Sequence, residues 1–138
     1  MNRTFALLIP AALILSGCLD KTDTKAADDA TTRFYQQVAA KQYDAIYNAA
    51  APDLQSATPR DIFIGYMKRI DRKLGACQAA KPRMDFHINV TPAGAFRTQG
   101  YSRDCANGPL QEQVTMVIRK GVATLAGYSG NSQLLLTD

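Results

Sequence analysis

The chain is poor in the residues that catalytic and metal sites use. It has one histidine, three cysteines and no tryptophan in 138 residues. A structural zinc site takes about four imidazole, thiolate or carboxylate ligands, so no metal centre is expected. The sequence contains no Cys-x-x-Cys pair, no phosphate-binding loop, no Gly-x-Ser-x-Gly elbow and no His-Glu-x-x-His motif. We therefore expect no cofactor and find no catalytic motif.

The balance of charged and apolar residues indicates an ordinary globular domain. Apolar residues make up 46% of the chain, charged residues make up 20%, and the net charge is +4. This length suits one domain with one hydrophobic core. The weak positive charge is not gathered into the basic stripe that nucleic-acid binding uses, so no nucleic-acid partner is expected.

The apolar run at residues 5–15 is too short to cross a bilayer, which takes about 20 residues. It follows the short positive region Asn2-Arg3 and has the length of a signal-peptide core. The run is followed by Ser16-Gly17-Cys18. With Leu15 before them, these residues resemble the lipobox of bacterial lipoproteins, in which small residues precede the cysteine that becomes lipidated. The alternative is an ordinary secretory signal that happens to contain a cysteine.

The resemblance to bacterial lipoproteins implies both an anchor and a location. Residues 1–17 would be removed as a signal peptide, and the Cys18 thiolate would take a diacylglycerol. Two or three acyl chains, palmitate among them, hold a protein durably at a membrane. Residue 19 is Leu rather than Asp. By resemblance to enterobacterial sorting, this favours the periplasmic face of the outer membrane over the inner membrane.

The composition after Cys18 predicts a short tether before the folded domain. Residues 19–29 are polar and charged and lack aromatic side chains, so we expect residues 18–29 to form a lipidated N-terminus and flexible tether. Residues 30–138 would then form a single domain.

The cysteine count fits an exported protein. Lipidation of Cys18 leaves Cys77 and Cys105, and two remaining cysteines in an oxidising compartment predict one disulfide bond. Two buried thiols, or a metal-binding pair, are the alternatives. A metal pair would lack further ligands, because the only imidazole is that of His87.

The spacing of apolar residues predicts three helices in the first half of the domain. The first two cover residues 29–41 and 43–51, and Pro52 closes the second. Thr58 is the expected N-cap of the third helix, with Pro59 at its first position and Gly75 as its stop. The third helix carries an apolar stripe of Ile62, Tyr66, Ile70 and Leu74, with Phe63 and Met67 beside it, and a basic face of Lys68, Arg69, Arg72 and Lys73.

From residue 83 the apolar pattern alternates every second residue, which predicts strands. Four strands are expected near residues 83–90, 95–103, 110–119 and 122–129, with a tight turn at Lys120-Gly121 between the last two. Residues 131–138 add a short strand or lie against the sheet. The first strand should turn Met84, Phe86, Ile88 and Val90 towards the helices. Helices followed by an antiparallel meander predict an α+β fold, with the helices packed on one face of a curved sheet of four or more strands.

The order of elements resembles that of the nuclear transport factor 2-like superfamily, whose cystatin-like domains are cone-shaped. The residue pattern of the helical part is also similar, with Phe34-Tyr35 at its start, residues 41–47 (KQYDAIY) in the middle and Leu74-Gly75 at its end. The resemblance covers residues 30–129 and implies a cone between helices and sheet. Because this fold hosts enzymes, ligand binders and scaffolds alike, it implies no particular activity.

Three residues are candidates for a pocket or surface site. Asp85 and His87 lie two apart on one strand, so they share a face and could serve an isomerase-type reaction together with a hydroxyl such as that of Tyr66. Because Met84 and Phe86 form the stronger apolar face, we expect Asp85 and His87 to point away from the cone. No family catalytic residue matches a position in this chain.

The favoured functional hypothesis is a non-enzymatic envelope lipoprotein that binds a protein partner or small ligand, or forms a homodimer. A small isomerase or hydrolase that uses the cone pocket is the first alternative. A structural envelope component is the second. It would contact lipid or peptidoglycan through the basic face of the third helix.

Overall fold

The computed structural model describes residues 20–137, which form helices followed by a sheet. The α-helices are α1 (Lys21–Ala39), α2 (Tyr43–Ala49), α3 (Pro52–Ala57) and α4 (Arg60–Leu74). The strands are β1 (Lys81–Thr91), β2 (Gly94–Cys105), β3 (Gly108–Arg119) and β4 (Val122–Asn131), and a 3₁₀ turn follows at Gln133–Leu135. The predicted α+β class and the antiparallel meander are confirmed. The lipobox residues 15–18 and Leu19 lie outside the described residues.

Helix α1 begins eight residues before the predicted start, so the prediction of a flexible tether is wrong from Lys21 onward. The Asp20 side chain accepts a 2.8 Å hydrogen bond from the Asp23 backbone N–H and caps the helix. Ala27 is fully buried in the core, and Asp28 pairs with Arg97 of β2 at 2.6 Å. These contacts hold the polar N-terminal part of α1 against the sheet. The folded domain therefore begins earlier in the sequence than the predicted boundary at residue 30.

The connection between α2 and α4 contains a helix that the sequence patterns do not predict. The backbone is extended at Ala50 and Ala51 after α2. Pro52 ends this stretch and occupies the first position of α3, where its missing N–H removes no hydrogen bond of the helix. Thr58 is therefore the C-cap of α3 rather than the N-cap of the next helix, and Pro59 is the N-cap of α4 without a side-chain hydrogen bond. The predicted stop at Gly75 is confirmed, with a backbone φ of 71°.

The sheet is open and follows the order β1-β2-β3-β4, with every neighbouring pair antiparallel. The predicted turn between β3 and β4 is tight. Lys120 and Gly121 both have positive φ angles, 51° and 75°, which is the conformation of a type I′ hairpin turn.

The helices pack mainly on β3 and β4, and this placement decides what the sheet buries. Val114, Met116 and Ile118 of β3 join Leu125 of β4 in the main core. In α4 the buried side chains are Phe63, Ile64, Met67, Ile70 and Leu74, whereas Ile62, predicted to be part of the stripe, is 63% exposed. None of the helices among residues 20–137 is both long and apolar enough to span a bilayer.

The apolar face of β1 does not meet the helices, contrary to prediction. It lies on the helix side of the sheet, because Ile88 pairs with Arg97, which reaches Asp28 of α1. Yet Met84 is fully exposed and Phe86 is 49% exposed. The helices cover β3 and β4, and the Arg97 guanidinium fills the space beside β1, with its Cζ 5.3 Å from the Phe86 ring centre.

The disulfide between Cys77 and Cys105 is present, and it joins the segment after α4 to the end of β2. The C-terminal residues form a 3₁₀ turn that contacts mainly α4, whereas a short strand or packing against the sheet was predicted. Arg69 donates to the Leu135 carbonyl at 2.9 Å, and Lys73 donates to the Thr137 carbonyl at 2.7 Å.

Candidate functional site

A cleft of about 360 Å³ opens beside the disulfide, where the end of α1 meets α2 and α4. We call it the Arg103 cleft. Its walls are Val38, Ala39, Tyr43, Met67 and Ile70, its rim carries Lys41 and Asp71, and the segment Gly75, Ala76 and Cys77 joins Arg103 on the remaining side. Apolar walls with a few polar groups are what small-molecule sites commonly offer.

Arg103 belongs to a buried polar cluster between the helices and the sheet. Its Nε and Nη2 atoms donate to the two carboxylate oxygens of Glu112 at 2.8 and 2.7 Å. The Tyr128 hydroxyl donates to the same carboxylate at 2.6 Å, and the Tyr35 hydroxyl at 3.3 Å. The Arg103 guanidinium also lies over the Tyr35 ring, 5.2 Å from its centre. Glu112 is therefore paired at both oxygens, as a buried carboxylate must be.

The surroundings of this cluster fix its protonation state. Burial, followed by the charge of Glu112, raises the pKa of Tyr35 and of Tyr128 far above the usual tyrosine value, so both hydroxyls keep their protons. Burial opposes the charge of Arg103, but its hydrogen bonds to Glu112 outweigh burial and raise its pKa. At neutral pH the two tyrosine hydroxyls are therefore neutral donors, and the Arg103 guanidinium is positively charged.

One nitrogen of Arg103 remains free for another partner. Nε and Nη2 bind Glu112, whereas Nη1 donates to no protein group among residues 20–137. Nη1 is also not among the polar side-chain atoms that are buried without a hydrogen-bond partner, so solvent can reach it. At the rim, the Lys41 ammonium binds the Asp71 carboxylate at 2.8 Å. The charges of the cleft and its cluster therefore cancel in two pairs, and a polar donor remains.

The residues predicted for a site do not meet in this cleft. Asp85 and His87 lie on the sheet face opposite the helices, as expected, where His87 is exposed and pairs in register with Thr98. The Asp85 carboxylate lies over Gly100, whose missing side chain leaves the room, and its Oδ1 is 3.0 Å from Arg83 Nε. Neither side chain reaches the cleft or the buried cluster.

The Tyr66 hydroxyl is occupied by the backbone of β4. It donates to the Gly130 carbonyl at 2.7 Å and accepts from the Gly130 N–H at 2.8 Å. Both bonds hold α4 against the end of β4, so the hydroxyl is committed to the fold.

The basic face of α4 is divided by the C-terminal residues. Lys68 and Arg72 are exposed, whereas Arg69 and Lys73 bind the carbonyls of residues 135 and 137. The surface proposed for lipid or peptidoglycan therefore offers fewer free cations than the sequence suggests. Within the described part of the chain, no three His, Cys, Asp or Glu side chains lie close enough together to hold a metal ion.

Sequence reasoning missed the Arg103–Glu112 pair, although a signal for it exists. Glu112 is the only glutamate of the chain, and it falls in phase with Leu110 and Val114 on the core face of β3. A charged residue at a core position needs a buried partner. Arg103 pairs in register with Leu110, which places it on the same sheet face.

No protein-family model matches the chain. No curated protein matches it either.

Proposed function

We propose that this chain is a lipid-anchored protein of the bacterial envelope whose domain binds a small molecule in the Arg103 cleft, without catalysis. The observation that carries the binding role is the Nη1 atom of Arg103, which bonds to no group among residues 20–137 and belongs to a buried, paired arginine beside an apolar cleft. The signal-like residues 1–17 and Cys18 support the anchor. Leu19 supports the periplasmic face of the outer membrane.

The cleft chemistry favours a compact and mainly apolar ligand with one hydrogen-bond acceptor. The apolar walls, Val38, Met67 and Ile70 among them, gain from covering apolar surface. Arg103 Nη1 would donate to a carbonyl or carboxylate oxygen of the ligand. Because Glu112 balances the charge of Arg103, we expect a neutral carbonyl compound to bind about as well as a carboxylate.

A nuclear magnetic resonance titration tests this role with two probes, phenylacetate and phenylacetamide. At roughly 0.3 kcal/mol for each of their ten heavy atoms, they should bind with a dissociation constant of about 6 mM. The amide signals of Val38, Gly75 and Cys77 should shift with both probes. Shifts spread over the surface, or no saturable shifts at all, would contradict a cleft site.

A matched pair of variants shows whether the ligand occupies the cleft itself. Ala39 is an exposed cleft residue, so Ala39→Trp should cover the cleft and weaken both probes by about tenfold, equivalent to 1.4 kcal/mol. Ala45 is also exposed, on α2, but does not line the cleft, and Ala45→Trp should leave the affinity unchanged. Equal effects of the two variants would count against the cleft.

Mass spectrometry of protein made with its own leader tests the anchor. The mature chain should begin at Cys18, carry a diacylglycerol and fractionate with outer membranes. Cys18→Ser should remain unprocessed and lack the lipid. An unmodified Cys18 in the native protein would remove the anchor, while leaving the binding role of the cleft open to the titration above.

The exposed apolar face of β1 favours a second role, pairing of two copies. Exposed apolar groups gathered on one strand commonly mark an interface, and here Met84 is 100% exposed and Val90 is 48% exposed. Within residues 20–137, β1 is also an edge strand, and no described strand pairs with its outer edge. A two-fold antiparallel pairing centred on His87 would set Phe86 opposite Ile88, and it would bring Met84, in the irregular stretch between Pro82 and Phe86, next to Val90.

Sedimentation of the domain without its leader tests this pairing. The unmodified domain should form a dimer, and Met84→Lys should shift it to monomer because a charge would enter the paired apolar face. Gln113→Lys is the control, since Gln113 is exposed on β3 away from the β1 edge. A monomer at every concentration would exclude the pairing.

A further inference from the structure

Two contacts along α1 indicate that its first turn points towards the hairpin turns at one end of the domain. Asp28 binds Arg97, and Tyr35 packs against Arg103, so α1 runs towards the β1–β2 turn as it is followed back to its start. From Asp28 to Lys21 the helix covers about 10 Å at 1.5 Å per residue. From Arg97 to Gly94 the strand also covers about 10 Å. The start of α1 therefore lies about level with that turn.

The β3–β4 turn belongs to the same end. Arg119 Nε donates to the Ala93 carbonyl at 2.6 Å, which joins the two turns, and its guanidinium also binds Asp53 at the start of α3. These contacts hold the two turns together and against the start of α3. We call this end of the domain the hairpin end, and its exposed residues are Lys21, Pro92, Ala93, Lys120, Gly121 and Val122.

The chain between Cys18 and α1 is very short. Only Leu19 and Asp20 separate the proposed lipidated residue from Lys21. Three residue steps of fully extended chain reach about 11 Å. A lipid on Cys18 would therefore keep the start of α1 within about one headgroup layer of the hydrocarbon core of the bilayer. At that distance the hairpin end cannot easily face away from the membrane.

We infer that the hairpin end is seated on the bilayer surface, an inference that rests on the proposed lipid anchor. Val122, which is 62% exposed, and Pro92 enter the headgroup layer, where apolar side chains gain from leaving water. Lys120 and Lys21 extend their ammonium groups to lipid phosphates. Asp20 and Asp23 in the same first turn of α1 balance these two charges, so the contact does not require anionic lipid.

This seating also decides which way the cleft faces. Val38, in the cleft wall, lies 17 residues along α1 from Lys21, about 26 Å at helical rise. The Arg103 cleft and the disulfide are therefore held at the far end of the domain, open to the aqueous compartment and accessible to a soluble ligand.

Tryptophan probes test the seating cleanly, because the chain has no tryptophan of its own. Val122→Trp places a probe at the hairpin end, and Gln78→Trp places one on an exposed residue next to the disulfide. The full lipidated protein is reconstituted into phosphatidylcholine vesicles that contain brominated acyl chains. Fluorescence of the Val122→Trp protein should fall about twofold and shift to the blue, whereas that of the Gln78→Trp protein should not change.

Flotation of the same vesicles separates the two ways in which the inference can fail. Protein that floats while its Val122 probe is quenched no more than the Gln78 probe overturns the seating and leaves the anchor intact. Protein that does not float overturns the anchor and the seating with it. Pro92→Trp is a second probe at the same end in case Val122→Trp does not fold, and its quenching should be the same in vesicles with and without anionic lipid.

Discussion

Replacing Glu112 by glutamine should be among the most damaging single substitutions in this domain. The Glu112 side chain is fully buried and the Arg103 side chain is 9% exposed, so the change leaves a guanidinium in the core without its counter-charge. Removing one partner of a buried ion pair costs about 3–5 kcal/mol. The Tyr128 hydroxyl also loses a bond to a charged acceptor. We expect a loss of about 4 kcal/mol in the free energy of unfolding.

Urea unfolding followed by far-ultraviolet circular dichroism measures this loss. With a denaturant slope of about 1.5 kcal/mol/M, a loss of 4 kcal/mol moves the midpoint down by about 2.7 M. Replacing both partners, Arg103→Met with Glu112→Met, should recover about 2 kcal/mol relative to Glu112→Gln. The reason is that no buried charge then remains, although two tyrosine hydroxyls lose their acceptor.

An exposed ion pair provides the matched control. Asp104 lies 3.6 Å from Lys81, and both side chains are 69% exposed, so Asp104→Asn should change the stability by less than about 0.5 kcal/mol. The reasoning would be refuted if Glu112→Gln cost no more than Asp104→Asn. It would also be refuted if the double substitution were as unstable as Glu112→Gln alone, since the cost would then come from lost packing rather than from an unpaired charge.

Two further predictions concern the disulfide and alkaline pH. Cys77 and Cys105 are 28 residues apart in sequence, and replacing both by alanine removes the restriction that their bond places on the unfolded chain. By the chain-entropy relation, the free energy of unfolding should fall by about 3.5 kcal/mol and the melting temperature by about 12 °C. An unchanged melting temperature in calorimetry would show that the bond adds nothing to stability. Burial, followed by the charge of Glu112, raises the pKa of Tyr35 and of Tyr128 in the folded state. Their contribution to the free energy of unfolding is therefore complete below the pKa of an unfolded-state tyrosine, about 10, and it is lost as the pH rises above that value. In urea unfolding between about pH 10 and 11.5, the free energy of unfolding should fall by about 1.4 kcal/mol per pH unit for each of the two tyrosines. Tyr35→Phe should reduce this slope by the amount that belongs to one tyrosine. An identical slope in that variant would contradict the role given to Tyr35.

Local patterns predict most of the secondary structure correctly because strands and helices leave distinct periods. The alternation after residue 83 predicts four antiparallel strands, and the Lys120-Gly121 pair predicts a hairpin turn that the structure confirms. Errors arise where tertiary contacts override composition. Residues 21–29 look like a polar linker, but the Asp20 cap and the contact of Asp28 with Arg97 hold them as helix.

The cleft was harder to predict than the fold because its parts are distant in sequence. Val38, Met67 and Arg103 come from three separate elements and carry no local motif. Asp85 and His87 attracted attention as neighbours on one strand, yet they lie on the face opposite the helices. Neighbouring positions reveal a shared face, whereas a site depends on which elements pack together.

By itself, the sequence determined the period of the four strands and of most of the helical residues, the cysteines that join, and the signal-like N-terminus with Cys18. These depend on residues close in the chain or on counting. Tertiary structure alone decided that the helices cover β3 and β4 and leave β1 bare, and that Glu112 finds Arg103 and two tyrosines in the core. The physical reason is that burial is a property of packed layers. The same alternating pattern in β1 and β3 is compatible with either outcome until the helices occupy one of them.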